Sequence, residues 1–266
     1  MATPNLNFID FKKENLDHYE NHKHQTNQSS DNMRTIDVCL SPDLMHLYDV
    51  HEKTVVVVDI LRATSCMTTA FAHGIKSITP FADLEACKAM KAKGYFTAGE
   101  RNGEKVEGFD LGNSPFEYMD EKLKDKKIAF TTTNGTQAII KSLGAKEILI
   151  GSFLNLSSVA EYLVKGSNPI LIVCAGWKGR VNLEDTLFAG ALIDLLKNHA
   201  ESACDAPLAA KYLYNIAKHD MNAFLKNSSH VKRLNRLNIH KDIEFCLTPN
   251  QYTCVPVLIE GALVVA

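Results

Sequence analysis

Short runs that are apolar at every position and end on a polar residue are what most limits how this chain can fold. VVVV at 55–58 stops at Asp59, IAFT at 128–131 leads into a threonine-rich loop, ILI at 148–150 stops at Gly151, and ILIVC at 170–174 leads into Ala175 and Gly176. A strand with one wet face alternates apolar and polar residues, whereas a strand covered on both faces does not. Between and after these runs, apolar residues recur at helical spacing over 65–73, 84–93, 137–143, 156–164 and 183–197. The alternation predicts an α/β fold: largely parallel or mixed sheets with helices on both faces, arranged as two α/β lobes with the site between them. The closing segment, 255–265, reads as a last strand returning to the core.

Residues 1–32 differ from the rest. They are rich in Asn, His, Lys, Glu and Ser with few aliphatics, so a polar, flexible extension is expected there, with one α/β domain over 33–266. His18 and His22 stand at metal-ligand spacing on one helix face, but nothing nearby would orient them, and a solvated tail accounts for them as well. A net charge of −2 gives no broad basic field, which argues against a nucleic-acid or membrane partner and for a small anionic ligand bound by local groups. Self-association into a homo-oligomer is compatible with this. The seven cysteines are scattered and never form C-x-x-C, so neither a disulfide framework nor a structural zinc site is expected. With no apolar stretch suited to a signal peptide or a membrane span, the expected location is the cytoplasm.

In open α/β sheets ligands gather beyond the carboxyl ends of strands, and four loops there are polar in compatible ways. VDILRATS (58–65) offers Asp59 as a metal ligand or nucleophile and Arg62, Thr64 and Ser65 as phosphate partners; equally, Thr64 or Ser65 caps a helix and Arg62 pairs with Asp59. GERNG (99–103), continuing into GFDLGNSP (108–115), presents Glu100, Arg101 and Asp110 on a glycine-shaped loop. TTNGT (132–136) places Asn134, Gly135 and Thr136 at a strand-to-helix turn, an anion cradle without the lysine of a P-loop. CAGWKGR (174–180) adds Lys178, and Glu184 and Asp185 follow in a helical first turn, where acids ordinarily complement the dipole. The basic stretch from His230 to Lys241, with Lys232, Arg233 and Arg236, reads as a solvated helix face.

Taken together and in this order, the four motifs, with LED (183–185), AG (189–190) and Val255-Pro256, resemble the 2-phosphosulfolactate phosphatase family over about residue 33 to the end. The resemblance implies a Mg²⁺-dependent hydrolase that converts (2R)-2-phospho-3-sulfolactate to 3-sulfolactate and phosphate, a step toward coenzyme M. Under that reading Asp59, Glu100 and Asp185 are the catalytic candidates, and Asp59, Glu100, Glu184 and Asp185 the Mg²⁺ ligands. Arg62, Thr64, Ser65, Arg101, Asn134, Gly135, Thr136 and Lys178 would hold the anionic substrate. Alternatives are a phosphatase for another phosphorylated 2-hydroxy acid and a non-catalytic binder of phosphorylated metabolites. Two other phosphatase chemistries are also visible. Cys174 and Arg180 have the C-x5-R spacing of cysteine-dependent enzymes, though Val181 stands where a hydroxyl residue would be wanted. Asp59 ends a strand as in aspartyl-phosphate enzymes, though Leu61 replaces their second acid.

Overall fold

The computed structural model describes residues 33–266. The polar extension and its His18/His22 pair lie outside the described residues. The strands are β1 (Arg34–Cys39), β2 (Thr54–Val58), β3 (Ser77–Pro80), β4 (Phe96–Arg101), β5 (Glu104–Lys105), β6 (Lys127–Thr131), β7 (Glu147–Gly151), β8 (Ile170–Cys174), β9 (Ala200–Ser202), β10 (Pro256–Ile259) and β11 (Ala262–Val265). The α-helices are α1 (Ala63–Ala72), α2 (Leu84–Ala89), α3 (Gly135–Lys141), α4 (Leu156–Lys165), α5 (Leu183–Leu195), α6 (Asp205–Ala217), α7 (Met221–Leu225), α8 (Ser229–Arg236) and α9 (His240–Cys246).

The strands join in the order β5-β4-β6-β3-β11-β10-β7-β2-β8-β1-β9. Two parallel groups make up most of it: β4, β6 and β3 in one, and β7, β2, β8, β1 and β9 in the other. The hairpin β10–β11 joins them through antiparallel pairings to β7 and β3. The sheet is thus mixed, and no lobe boundary interrupts its hydrogen bonding.

Period-two alternation explains why both faces are covered. Val56 and Val58 of β2, with Ile170 and Ile172 of β8, enter one core beside α4 and α5; Val55 and Val57, with Leu171 and Val173, enter another beside α1 and α3. All five residues of β2 and of β8 are buried, which is why these strands read as unbroken apolar runs. Each buried aliphatic side chain stabilises the fold by about 1.5–3 kcal/mol before the entropy of ordering is counted.

One expectation is corrected. The segment 255–265 is two strands, reversed at Glu260 and Gly261, both at positive φ (49° and 80°), the conformation of a two-residue hairpin turn. Among the described residues no helix is long and apolar enough to cross a membrane.

Candidate active site

A cleft opens where loops from both strand groups meet, lined by Asp59, Glu100, Asn134, Trp177, His230 and Arg233 among others. Asp59 directly follows β2, and its backbone is fixed at both ends: its N–H donates to Thr64 Oγ1 at 3.0 Å and its carbonyl accepts the Thr64 N–H at 3.0 Å. Its Oδ1 accepts the Ala63 N–H at 3.4 Å at the start of α1. Gly135 passes so close that an added Cβ would lie 2.8 Å from Asp59 Oδ2 and 2.7 Å from the Ala63 methyl, so glycine is required by proximity at this position. Burial is the main cause lifting the Asp59 carboxyl to about 6; Glu100 and Glu184 push the same way, and His230 pulls against them.

Glu100, near the end of β4, accepts the Gly103 N–H at 2.6 Å on one oxygen and the Thr133 N–H at 3.0 Å on the other, so it ties its own loop to the one after β6. Asp185 is spent in a similar way, accepting the Ile60 N–H at 2.9 Å and the Gly176 N–H at 3.0 Å. Gly176 reaches this acceptor at φ +56°, where an added Cβ would stand 2.3 Å from the Arg180 carbonyl. Burial, then Glu184 and Asp59, raise the Asp185 carboxyl well above the usual carboxylate range. Glu184, fully buried beside it, pairs through Oε1 with Nδ1 of His230, which also lies 3.2 Å from Asn182 Nδ2.

Among the described residues the buried side-chain atoms without a hydrogen-bond partner are Asn113 Oδ1, Thr133 Oγ1 and Glu184 Oε2. Asn113 and Thr133 line the cleft, and Glu184 is held by a residue that does. Buried polar groups without partners are costly and scarce, so their gathering at one cleft marks a place made to receive a polar ligand.

The expected site residues separate into those that face the cleft and those that build it. Asp59, Glu100, Arg62 and Asn134 line it. Arg62 is nonetheless committed, through a buried ion pair with Asp242 and a 3.2 Å bond to the Gly103 carbonyl, so its partner is neither Asp59 nor a free anion position. Thr64, Ser65 and Thr136 are fully buried, and their hydroxyls serve loop backbone: Thr64 the Asp59 N–H, Ser65 the Ile60 carbonyl, Thr136 the Thr132 carbonyl. Arg101 donates to the Glu100 carbonyl and to Thr131 Oγ1. Lys178 is exposed and lines a neighbouring cleft with Asn134, whose Oδ1 accepts the Lys178 N–H. Asp110 holds Thr97 and Lys91 rather than the cleft.

The four expected metal ligands do not form a ready-made cage: among the described residues no three His, Cys, Asp or Glu side chains are placed to hold one ion. The arrangement still fits Mg²⁺ in its commoner mode, with one or two protein carboxylates and the remaining positions filled by phosphate and water. Glu184 Oε2 is an orphaned oxygen, and Asp59 Oδ2 accepts no hydrogen bond among the described residues. Asp185, with each oxygen already accepting a backbone N–H, braces the loops.

Two functional candidates come from a region read as solvated. Lys232 and Arg236 of α8 are exposed as expected, but His230 and Arg233, three residues apart, line the cleft. The guanidinium carbon of Arg233 lies 3.8 Å from the Trp177 ring centroid. The signal available was the apolar spacing of Val231 and Leu234, which turns one face of α8 inward. The cysteine-dependent alternative is contradicted: Cys174 is fully buried at the end of β8, its thiol raised well above the usual range by burial, and Arg180 is exposed.

A family model described as 2-phosphosulpholactate phosphatase matches residues 39–261. A Thermotoga petrophila protein named probable 2-phosphosulfolactate phosphatase is 42% identical over 229 residues, covering 86% of this chain and 97% of the relative. A protein of the same name from Caldanaerobacter subterraneus is 42% identical over 218 residues, 80% of this chain and 90% of the relative. One from Clostridium tetani is 39% identical over 225 residues, 83% and 96%. The family resemblance carried by the four motifs is borne out.

Proposed function

Because the chain belongs to the 2-phosphosulpholactate phosphatase family and is thereby a phosphoric monoester hydrolase, we propose that it hydrolyses (2R)-2-phospho-3-sulfolactate to 3-sulfolactate and phosphate with Mg²⁺. The observation that carries this reading is the unengaged Asp59 Oδ2 at a cleft that also holds a hydroxyl and an amide oxygen without partners, with the unengaged Glu184 Oε2 buried behind the cleft-lining His230. Asp59 and Glu184 would hold the ion, which when bound supplies positive charge against the phosphoryl oxygens.

The chain's own groups do the remaining work. Glu100 and Asp185 fix the loops through backbone N–H groups, so the cleft keeps its shape as charge moves within it. The Thr133 hydroxyl stands ready to donate to a phosphoryl oxygen, and Asn113 Oδ1, an acceptor, to take a hydrogen bond from the attacking water. Water adds to phosphorus as the ester P–O bond breaks, and the departing alkoxide takes a proton. Doubly protonated His230, its Nδ1 held by Glu184 and its ring lining the cleft, is placed to give it from Nε2, and takes back the proton that the phosphate formed from the attacking water sheds.

A phosphate-release assay over a panel of 2-phospho acids, with Mg²⁺ and with chelator, tests the proposal. Release from the sulfonated ester is expected to exceed that from carboxylated analogues and to stop on chelation. Equal rates across the panel would remove the named substrate, and undiminished release in chelator would remove the ion.

A further inference from the structure

We propose that Arg233, laid against Trp177, binds an acid group of the substrate other than the phosphoryl group, and so makes the enzyme select phosphate esters that carry a second acid. The inference rests on the phosphatase reading of the same cleft and adds what that reading leaves open, namely how a multiply charged substrate is told from a simple ester.

Charge accounting leads to Arg233. Asp59 and Glu100 line the cleft and Glu184 stands behind His230, so the carboxylates outnumber the cations. A substrate with a phosphate and one or two further acid groups adds several negative charges. Arg62 is neutralised by Asp242, and Arg101 is turned to the Glu100 carbonyl and Thr131. Lys178 belongs to the neighbouring cleft and donates to Asn102. Arg233 alone among the described cleft-lining cations has no ion pair or hydrogen bond, and burial lowers its affinity for its proton while Glu184 and Glu100 support it.

Its geometry suits the task. Contact with the indole, 3.8 Å from guanidinium carbon to ring centroid, restrains the guanidinium, and with no protein acceptor its N–H groups are left to bind an oxyanion through two parallel bonds. Trp177 is itself held by a tight turn, its N–H donating to the Arg180 carbonyl at 2.8 Å and its carbonyl accepting the Arg180 N–H at 3.0 Å. The platform is thus rigid, and less freedom is lost when the anion binds.

The test compares wild-type enzyme with Arg233→Gln on two secondary phosphate esters: 2-phospho-3-sulfolactate, and propan-2-yl phosphate, which has no acid group. KM for the sulfonated ester is expected to rise about 10- to 100-fold with kcat little changed, while kcat/KM for propan-2-yl phosphate stays within about twofold. Arg233→Lys, which keeps stem and charge but not the planar fork, is expected to fall between the two. A parallel loss on both esters would make Arg233 a phosphate clamp and overturn the inference, as would an unchanged KM. An independent arm needs no turnover. Trp177 is the chain's only tryptophan, so titration with 3-sulfolactate is expected to shift wild-type fluorescence and to leave Arg233→Gln unmoved. No response in the wild type would also overturn the proposal. A wild-type protein that releases no phosphate would sink the phosphatase reading and leave the titration to decide this one.

Discussion

Asp59 carries its charge at a cost to the fold, and the sign of that cost can be measured. Its folded-state pKa of about 6 lies above the ordinary aspartate value of 3.8, so the folded protein binds this proton more tightly than the unfolded chain. The stability that goes with the shift is fully present below about pH 4 and is lost as pH rises through 6. At about 1.4 kcal/mol per pH unit, the ionised carboxylate costs on the order of 3 kcal/mol above pH 6. Asp59→Asn is therefore expected to raise the Tm of metal-free protein by several degrees at pH 8 and by much less at pH 5. An equal shift at both pH values in thermal unfolding would contradict the assignment. His230 is tested by leaving group. His230→Gln is expected to slow 2-phospho-3-sulfolactate hydrolysis by about 10²- to 10⁴-fold. The loss on p-nitrophenyl phosphate, whose leaving group needs no proton, should be far smaller. Equal losses in steady-state rates would remove the proton-donor role.

At the scale of elements, α5 carries the most. Its first turn holds Glu184 and Asp185, and its middle packs so tightly on α6 that a Cβ added at Gly190 would stand 2.1 Å from the Ala210 carbonyl. Gly190→Ala forces the helices apart, and a loss of about 1–3 kcal/mol in denaturant unfolding is expected. No loss would mean that the close approach is relieved freely. This scale also shows how far the sequence could be read. β2 and β8 were legible because a strand covered on both faces is apolar throughout, and Asp59 was legible because a charge at the end of such a run has few structural uses. β4 and β9 were not, since FTAGER and AES carry no clear pattern, and Glu260-Gly261 lay hidden as a turn within an apolar stretch. Tertiary contacts account for the misreadings at the site. Arg62 finds Asp242 180 residues away, and the inward face of α8 sits on a helix whose other residues are polar or charged. Neither pairing leaves a local trace.

Across the whole molecule, one hairpin joins two parallel strand groups, and the cleft draws loops from both: Asp59 and Trp177 from the group of β2 and β8, Glu100 and Thr133 from that of β4 and β6. Bonds from the Gly103 and Thr133 N–H groups to Glu100 fix one side, and those from Ile60 and Gly176 to Asp185 fix the other. In the proposed function, chemistry is thereby left to the few groups that remain unengaged, Asp59 Oδ2 and Glu184 Oε2 first among them. Phosphate release from 2-phospho-3-sulfolactate, followed in wild-type enzyme and in Asp59→Asn with Mg²⁺ present and after its removal, tests that division most directly. Release that requires both the carboxylate and the ion is predicted, with a drop of about 10³-fold or more when either is missing. Release at the wild-type rate by Asp59→Asn, or by wild-type enzyme stripped of Mg²⁺, would contradict it.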